Sequence, residues 1–221
     1  MAEKYGEIPK LFTKKWWEYF WDYYKWHTIA VVFVLFVAIT VIVQVSTSPK
    51  YDFNFFYTAD FYMQEHGKEE LRQELSKFVT DSDGDGKDGV AINEIVFVEG
   101  QEDPQVEYAK VTKIGLEFTD KNTVLFIFDD NKAPYFFDNE SMDGVFLETD
   151  EWLDEPVEQE RLYTKDSKSY AVSLKNSKIF NEFGVDCDNL YVAVRRYYEE
   201  LDDEMNEKIA DAKKIANAIV K

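Results

Sequence analysis

The chain has 221 residues, with 44 acidic against 25 basic side chains, and its formal net charge of −19 excludes a surface built to coat nucleic acid. At 45% hydrophobic and 17% aromatic it is not a disordered polyanion either. Cys187 is its single cysteine, so no intrachain disulfide forms, and an exported domain of this kind fits a bacterial surface better than a eukaryotic secretory route.

The first element in chain order is an apolar run. From Ile29 to Val43 there is no charge, and Thr40 is the only polar residue. As a helix the stretch from Ile29 to Val45 spans about 26 Å, and one more turn matches the hydrocarbon thickness of a bilayer. A single span satisfies its backbone in lipid only as a helix. The run begins too late for a secretory signal, and Val45-Ser46-Thr47-Ser48 is a poor cleavage site, so an uncleaved signal-anchor helix is expected over 28–46.

Before it, Trp16, Trp17, Trp21 and Trp26 are four of the five tryptophans in the chain, interleaved with tyrosines and lysines. Such rings settle at headgroup depth, which makes 1–27 a cytoplasmic and interfacial segment. The competing reading packs these rings on a partner subunit. Lys4, Lys10, Lys14, Lys15 and Lys25 precede the span, whereas Lys50 alone follows it before Lys68. The positive-inside rule then places the N-terminus in the cytoplasm and the rest outside.

A short linker, 47–50, leads to an acidic domain over 51–221. Beyond Pro49 lie 20 of the 25 basic and 40 of the 44 acidic residues, a net charge of −20. Strands are expected at Tyr51–Thr58, Ala91–Glu99, Asn122–Phe128, Tyr170–Leu174 and Leu190–Val194. The run Asn122–Phe128 is apolar enough to be buried on both faces. Helices are expected at Gln64–Val79, at Val106–Phe118 with Tyr108, Val111 and Gly115 or Leu116 inward, and at Asn176–Phe183, ending at Gly184. A long helix over Glu199–Ile219 carries Leu201, Met205, Ile209, Ala212, Ala216 and Ile219 on one face. Residues 132–165 read as irregular, anchored by Phe146-Leu147 and Trp152-Leu153. Strands alternating with helices imply an α/β fold: one three-layer domain with a mostly parallel or mixed sheet.

The segments Val124–Asp130, Gly144–Leu153, Tyr170–Leu174 and Asp186–Arg195 resemble parts of bacterial extracellular solute-binding proteins. The layout of aromatic juxtamembrane helix, single span and acidic α/β domain is similar to that of uncharacterised single-pass membrane proteins of Firmicutes. The resemblance implies a binding or accessory module of the bacterial cell envelope, without catalysis. It also implies one lobe only, because two-lobed binding proteins need about twice this length. The alternative is an accessory subunit that docks a membrane protein complex through its spanning and interfacial helices.

Two places are candidates for binding. Asp81, Asp83, Asp85 and the carbonyl of Lys87, with Gly86 between, match the first half of a loop that wraps Ca²⁺ with hard oxygen ligands. The second half departs from that pattern, with Asp88 where an apolar residue is usual and Ile92 where a bidentate Glu is. A weak Ca²⁺ site and a solvated Asp/Gly turn both remain open. In open α/β sheets ligands sit beyond the carboxyl ends of strands, which selects Asp60, Asp129 and Asp130, with strand-ending turns as the competing reading.

Enzymatic machinery has little basis. His66 is the only imidazole beyond the span, and Cys187 sits between Asp186 and Asp188, which disfavour its thiolate. A small solute or a membrane protein is the expected partner, besides the bilayer.

Overall fold

The computed structural model describes residues 9–47, 51–81, 84, 89–98, 100, 103–197 and 202–221. Residues 1–49 and 50–221 are separate compact units.

Among the described residues of the first unit there is one helix, α1 (Lys14–Thr47). Thr13 starts it, its hydroxyl accepting from the Trp16 N–H at 3.3 Å. Rings at i, i+4 spacing stack along one side, Trp16 on Phe20 at 5.4 Å and Phe20 on Tyr24 at 5.7 Å. The aromatic stretch and the apolar run are therefore a single helix about 51 Å long. From Ile29 to Val43 every side chain is exposed, and α1 is long and apolar enough to cross a membrane.

The second unit is a mixed α/β domain. Its strands are β1 (Phe53–Ala59), β2 (Val90–Val96), β3 (Thr123–Asp129), β4 (Leu162–Lys165), β5 (Lys168–Ser173) and β6 (Leu190–Val194). They form one six-stranded sheet in the order β2-β1-β3-β6-β5-β4. β1 pairs in parallel with β2 and β3, and the remaining neighbours are antiparallel, so the sheet is mixed. The helices are α2 (Glu65–Ser76), α3 (Pro104–Glu117), α4 (Ala133–Phe137), α5 (Lys178–Glu182) and α6 (Asp203–Val220).

The period-two alternation of the strands sorts the buried side chains into two clusters. Phe55, Tyr57, Leu125, Ile127, Val192 and Val194 pack with Leu71 and Leu75 of α2, Phe180 of α5 and Ile215 and Ile219 of α6. On the other side Phe56, Phe126 and Phe128 pack with Ile114 of α3 and Phe136 and Phe137 of α4. All seven residues of β3 are buried, as its apolar run requires.

The elements have clear local causes. Asp103 caps α3, accepting from Gln105 N–H at 2.9 Å, with Pro104 at the first helical position. Ser177 caps α5, and Gly184, at φ +67°, follows its last turn. Asp202 caps α6, accepting from Met205 N–H at 2.8 Å. Gly67 lets α2 approach the chain after α5: a Cβ there would stand 2.3 Å from the Phe183 carbonyl oxygen.

Two expectations are corrected. Residues 132–165 are not irregular throughout, because they hold α4, three short 3-10 turns and the strand β4. β4 is a four-residue edge strand, tied to β5 through Asp166 and Ser167 with φ of 49° and 66°. That is the geometry of a tight hairpin turn, reached without the glycine that usually signals it. Phe146 and Trp152 are buried anchors as expected.

The second correction is the orientation of α3. Tyr108, Val111, Gly115 and Leu116 face solvent, and the inward positions are Ile114 and Glu117. The Glu117 carboxylate accepts from the Thr123 hydroxyl at 3.0 Å and from Asn93 Nδ2 at 3.3 Å. A charge can be buried there because β2 and β3 supply its partners.

Candidate functional site at the carboxyl ends of the parallel strands

Chains leaving neighbouring strands β1 and β3 diverge to opposite faces of the sheet. α2 follows β1 and joins the cluster around Tyr57, whereas α4 follows β3 and joins the cluster around Phe128. Such a divergence is where open α/β sheets place ligands.

Asp60 and Asp129 meet at this point. The Asp129 carboxylate, 3% exposed, accepts from the backbone N–H of Asp60 at 2.6 Å and from that of Lys132 at 2.9 Å. Burial raises its pKa, against the pull of these two N–H donors. The Asp60 carboxylate accepts from Lys132 Nζ at 2.5 Å and from Asn131 Nδ2 at 2.6 Å. Burial alone would raise its pKa, but the bonds to Lys132 and Asn131 prevail and hold it below the ordinary value.

Asp130 points elsewhere. It is exposed, its N–H bonds the Asn189 carbonyl at 3.1 Å, and its carboxylate lies by Tyr191, whose hydroxyl is raised first by burial and then by that charge. Lys132 Nζ also stands 4.6 Å from the centre of the Phe97 ring, with Lys110 Nζ 5.1 Å from the same centre. Close by, Glu94 accepts from Met63 N–H at 2.9 Å and from Lys68 Nζ at 3.3 Å. All four carboxylate oxygens of Asp60 and Asp129 thus have partners from this chain. The arrangement works as a latch between strand ends.

The metal candidate falls largely outside the described residues, which include Asp81 but not Asp83, Asp85 or Lys87. Asp81 Oδ1 accepts from Gly84 N–H at 2.7 Å, and Gly84 stands at φ +72°. Among the described residues there is no cluster of three or more His, Cys, Asp or Glu able to hold a metal ion. Cys187 is buried, and burial raises its thiol pKa first, with Asp188 and Asp186 adding to it against a bond from Ser177. His66 is on the surface beside Glu70 at 3.2 Å.

Sequence reasoning missed the outward face of α3. Gln105, Tyr108, Ala109, Thr112, Gly115 and Leu116 point away from the sheet, with Val111 on the shoulder, and none is charged. Tyr108 is 76% exposed and Leu116 60%. Gly115 has open space where its Cβ would be, so nothing within the domain requires a helix-weakening glycine there. The charges of the helix lie off this face: Glu107 and Glu117 turn inward, Lys110 reaches Phe97, and Lys113 flanks the face as an exposed cation. A signal was present, since apolar residues run all round α3 and no single face could absorb them.

A complementary feature lies at the opposite edge of the sheet. A depression of 320 Å³ beside β4 is lined by Leu153, Pro156, Val157 and Leu162 and by Asp150 and Asp154. Compared with known protein families, curated proteins and solved structures, the chain has no match.

Proposed function

We propose that this chain is a membrane-anchored accessory module of the bacterial cell envelope, whose acidic domain docks another protein outside the membrane. α1 is the anchor, with the N-terminus in the cytoplasm and its aromatic first half at headgroup depth. The domain beyond it is a three-layer α/β unit, with helices covering each face of the sheet. Its net charge of −20 disfavours anionic partners.

The observation that carries this reading is the outward face of α3, uncharged across its width on a strongly acidic domain. Tyr108, Thr112 and Leu116 stand at i, i+4 and i+8, one exposed uncharged stripe of a helix suited to lie in an apolar groove. Lys113 beside it favours a groove with an acidic rim. The solute-binding reading has less support, because the carboxylates at the strand ends already hold each other's neighbours.

A photo-crosslinking side chain at Tyr108, in intact cells of the source bacterium, tests it. Crosslinks to protein are expected from position 108 and not from the exposed position Glu207 on α6. Equal yields at both positions would remove the docking reading.

A further inference from the structure

We infer that the partner of α3 is a second copy of this chain, received in the depression beside β4. This rests on the docking reading of α3 and names its occupant. The two surfaces match in chemistry. One is an uncharged helix face, led by Tyr108 and Leu116, with the cation Lys113 at the flank next to Leu116. The other is lined by the apolar Leu153, Pro156, Val157 and Leu162 together with the exposed anions Asp150 and Asp154. On a domain of net charge −20, two copies repel across most orientations. This pairing sets a cation against anions and buries no charge on the helix side.

Placement fixes the kind of assembly. α3 is held at the β2–β1–β3 half of the sheet, through Glu117 to Asn93 and Thr123. The depression includes Leu162 of β4, the far edge strand. A domain cannot fill its own depression with its own α3, so the contact runs from one copy to the next. That is a heterologous contact, which repeats head to tail into rings or rows. The helix face is only about 21 Å long, so a single contact is small and weak in solution. Copies anchored in one bilayer raise their mutual concentration and make such a contact effective.

The test uses the full chain reconstituted in lipid vesicles, with two differently tagged copies. One carries Tyr108→Cys and the other Val157→Cys, and the buried Cys187 stays unreactive in both. Disulfide formation between 108 and 157 is expected to exceed both the 108–108 yield and the yield of a Glu207→Cys control with 157. Lys113→Glu on the first copy should lower the 108–157 yield about threefold, and Asp154→Lys on the second should restore it, as suits an exposed ion pair. Both positions are exposed, so neither substitution threatens the fold. A dominant 108–108 product would make the contact isologous and overturn the proposal. A 108–157 yield equal to the control would overturn it too. If position 108 still captures a different protein in cells, the docking reading stands and only the identity of its partner falls.

Discussion

The backbone N–H of Asp60 donates to the Asp129 carboxylate at 2.6 Å across the ends of two neighbouring parallel strands. The same carboxylate also holds the Lys132 N–H, and Lys132 Nζ returns to Asp60. Asp129→Asn keeps the shape but replaces one acceptor oxygen with a donor, leaving one of the two N–H groups unpaired. The domain should lose about 1–3 kcal/mol, read by chemical denaturation of the solubilised chain. An unchanged midpoint would show that the latch contributes nothing.

The pair also predicts a pH dependence. The folded pKa of Asp60 lies below its ordinary 3.8, so its contribution is present above that pH and is lost as pH falls through the lower folded value. Asp129 has the opposite sign: its raised pKa means that ionisation opposes folding, so its contribution declines as pH rises from 3.8 through the folded value. Asp60→Asn should therefore destabilise the domain at pH 6 and converge on wild type near pH 2. Thermal melts at the two pH values give the comparison, and a constant offset would count against the Lys132 pairing.

Gly67 sits inside α2, where alanine ordinarily gains up to about 1 kcal/mol of helix propensity. Here the added Cβ would meet the Phe183 carbonyl oxygen at 2.3 Å, a backbone atom that cannot swing away. Gly67→Ala should cost about 2 kcal/mol net, from overpacking, and lower the melting temperature by roughly 4–8 °C for a domain of this size. A rise in melting temperature would mean that α2 packs less closely than this.

Ile127 is fully buried in β3, between β1 and β6. Ile127→Asp should prevent stable folding, because an unpaired charge in that position costs several kcal/mol. Circular dichroism of the variant reads the outcome, and a native melt would displace β3 from the centre of the sheet.

The membrane orientation has its own test. With Cys187 buried, Ser48→Cys supplies a single reactive thiol next in the chain after α1. Impermeant maleimide should label it in intact cells and leave Ala2→Cys untouched. The reverse pattern would invert the topology and end the envelope reading.

Much of this protein is local chemistry and therefore legible in its sequence. An uncharged run such as Ile29–Val43 has few options, and its helix follows from length and the need to satisfy a backbone. The seven buried residues of β3 are announced by an apolar run that no amphipathic helix tolerates. Ser177 and Gly184 bracket α5 because a hydroxyl cap and a left-handed glycine act within a few residues.

Other features depend on groups far apart in the chain. β4 is visible only through its pairing with β5, since four residues carry too little pattern. Glu117 faces inward because Asn93 and Thr123 await it, and that choice turns Tyr108 and Leu116 to solvent against their hydrophobicity. Asp60 and Asp129 were both legible as strand ends, but their closure on one another needed the parallel pairing of β1 and β3. Periodicity reports which residues share a face, whereas only the assembled sheet decides which face is covered.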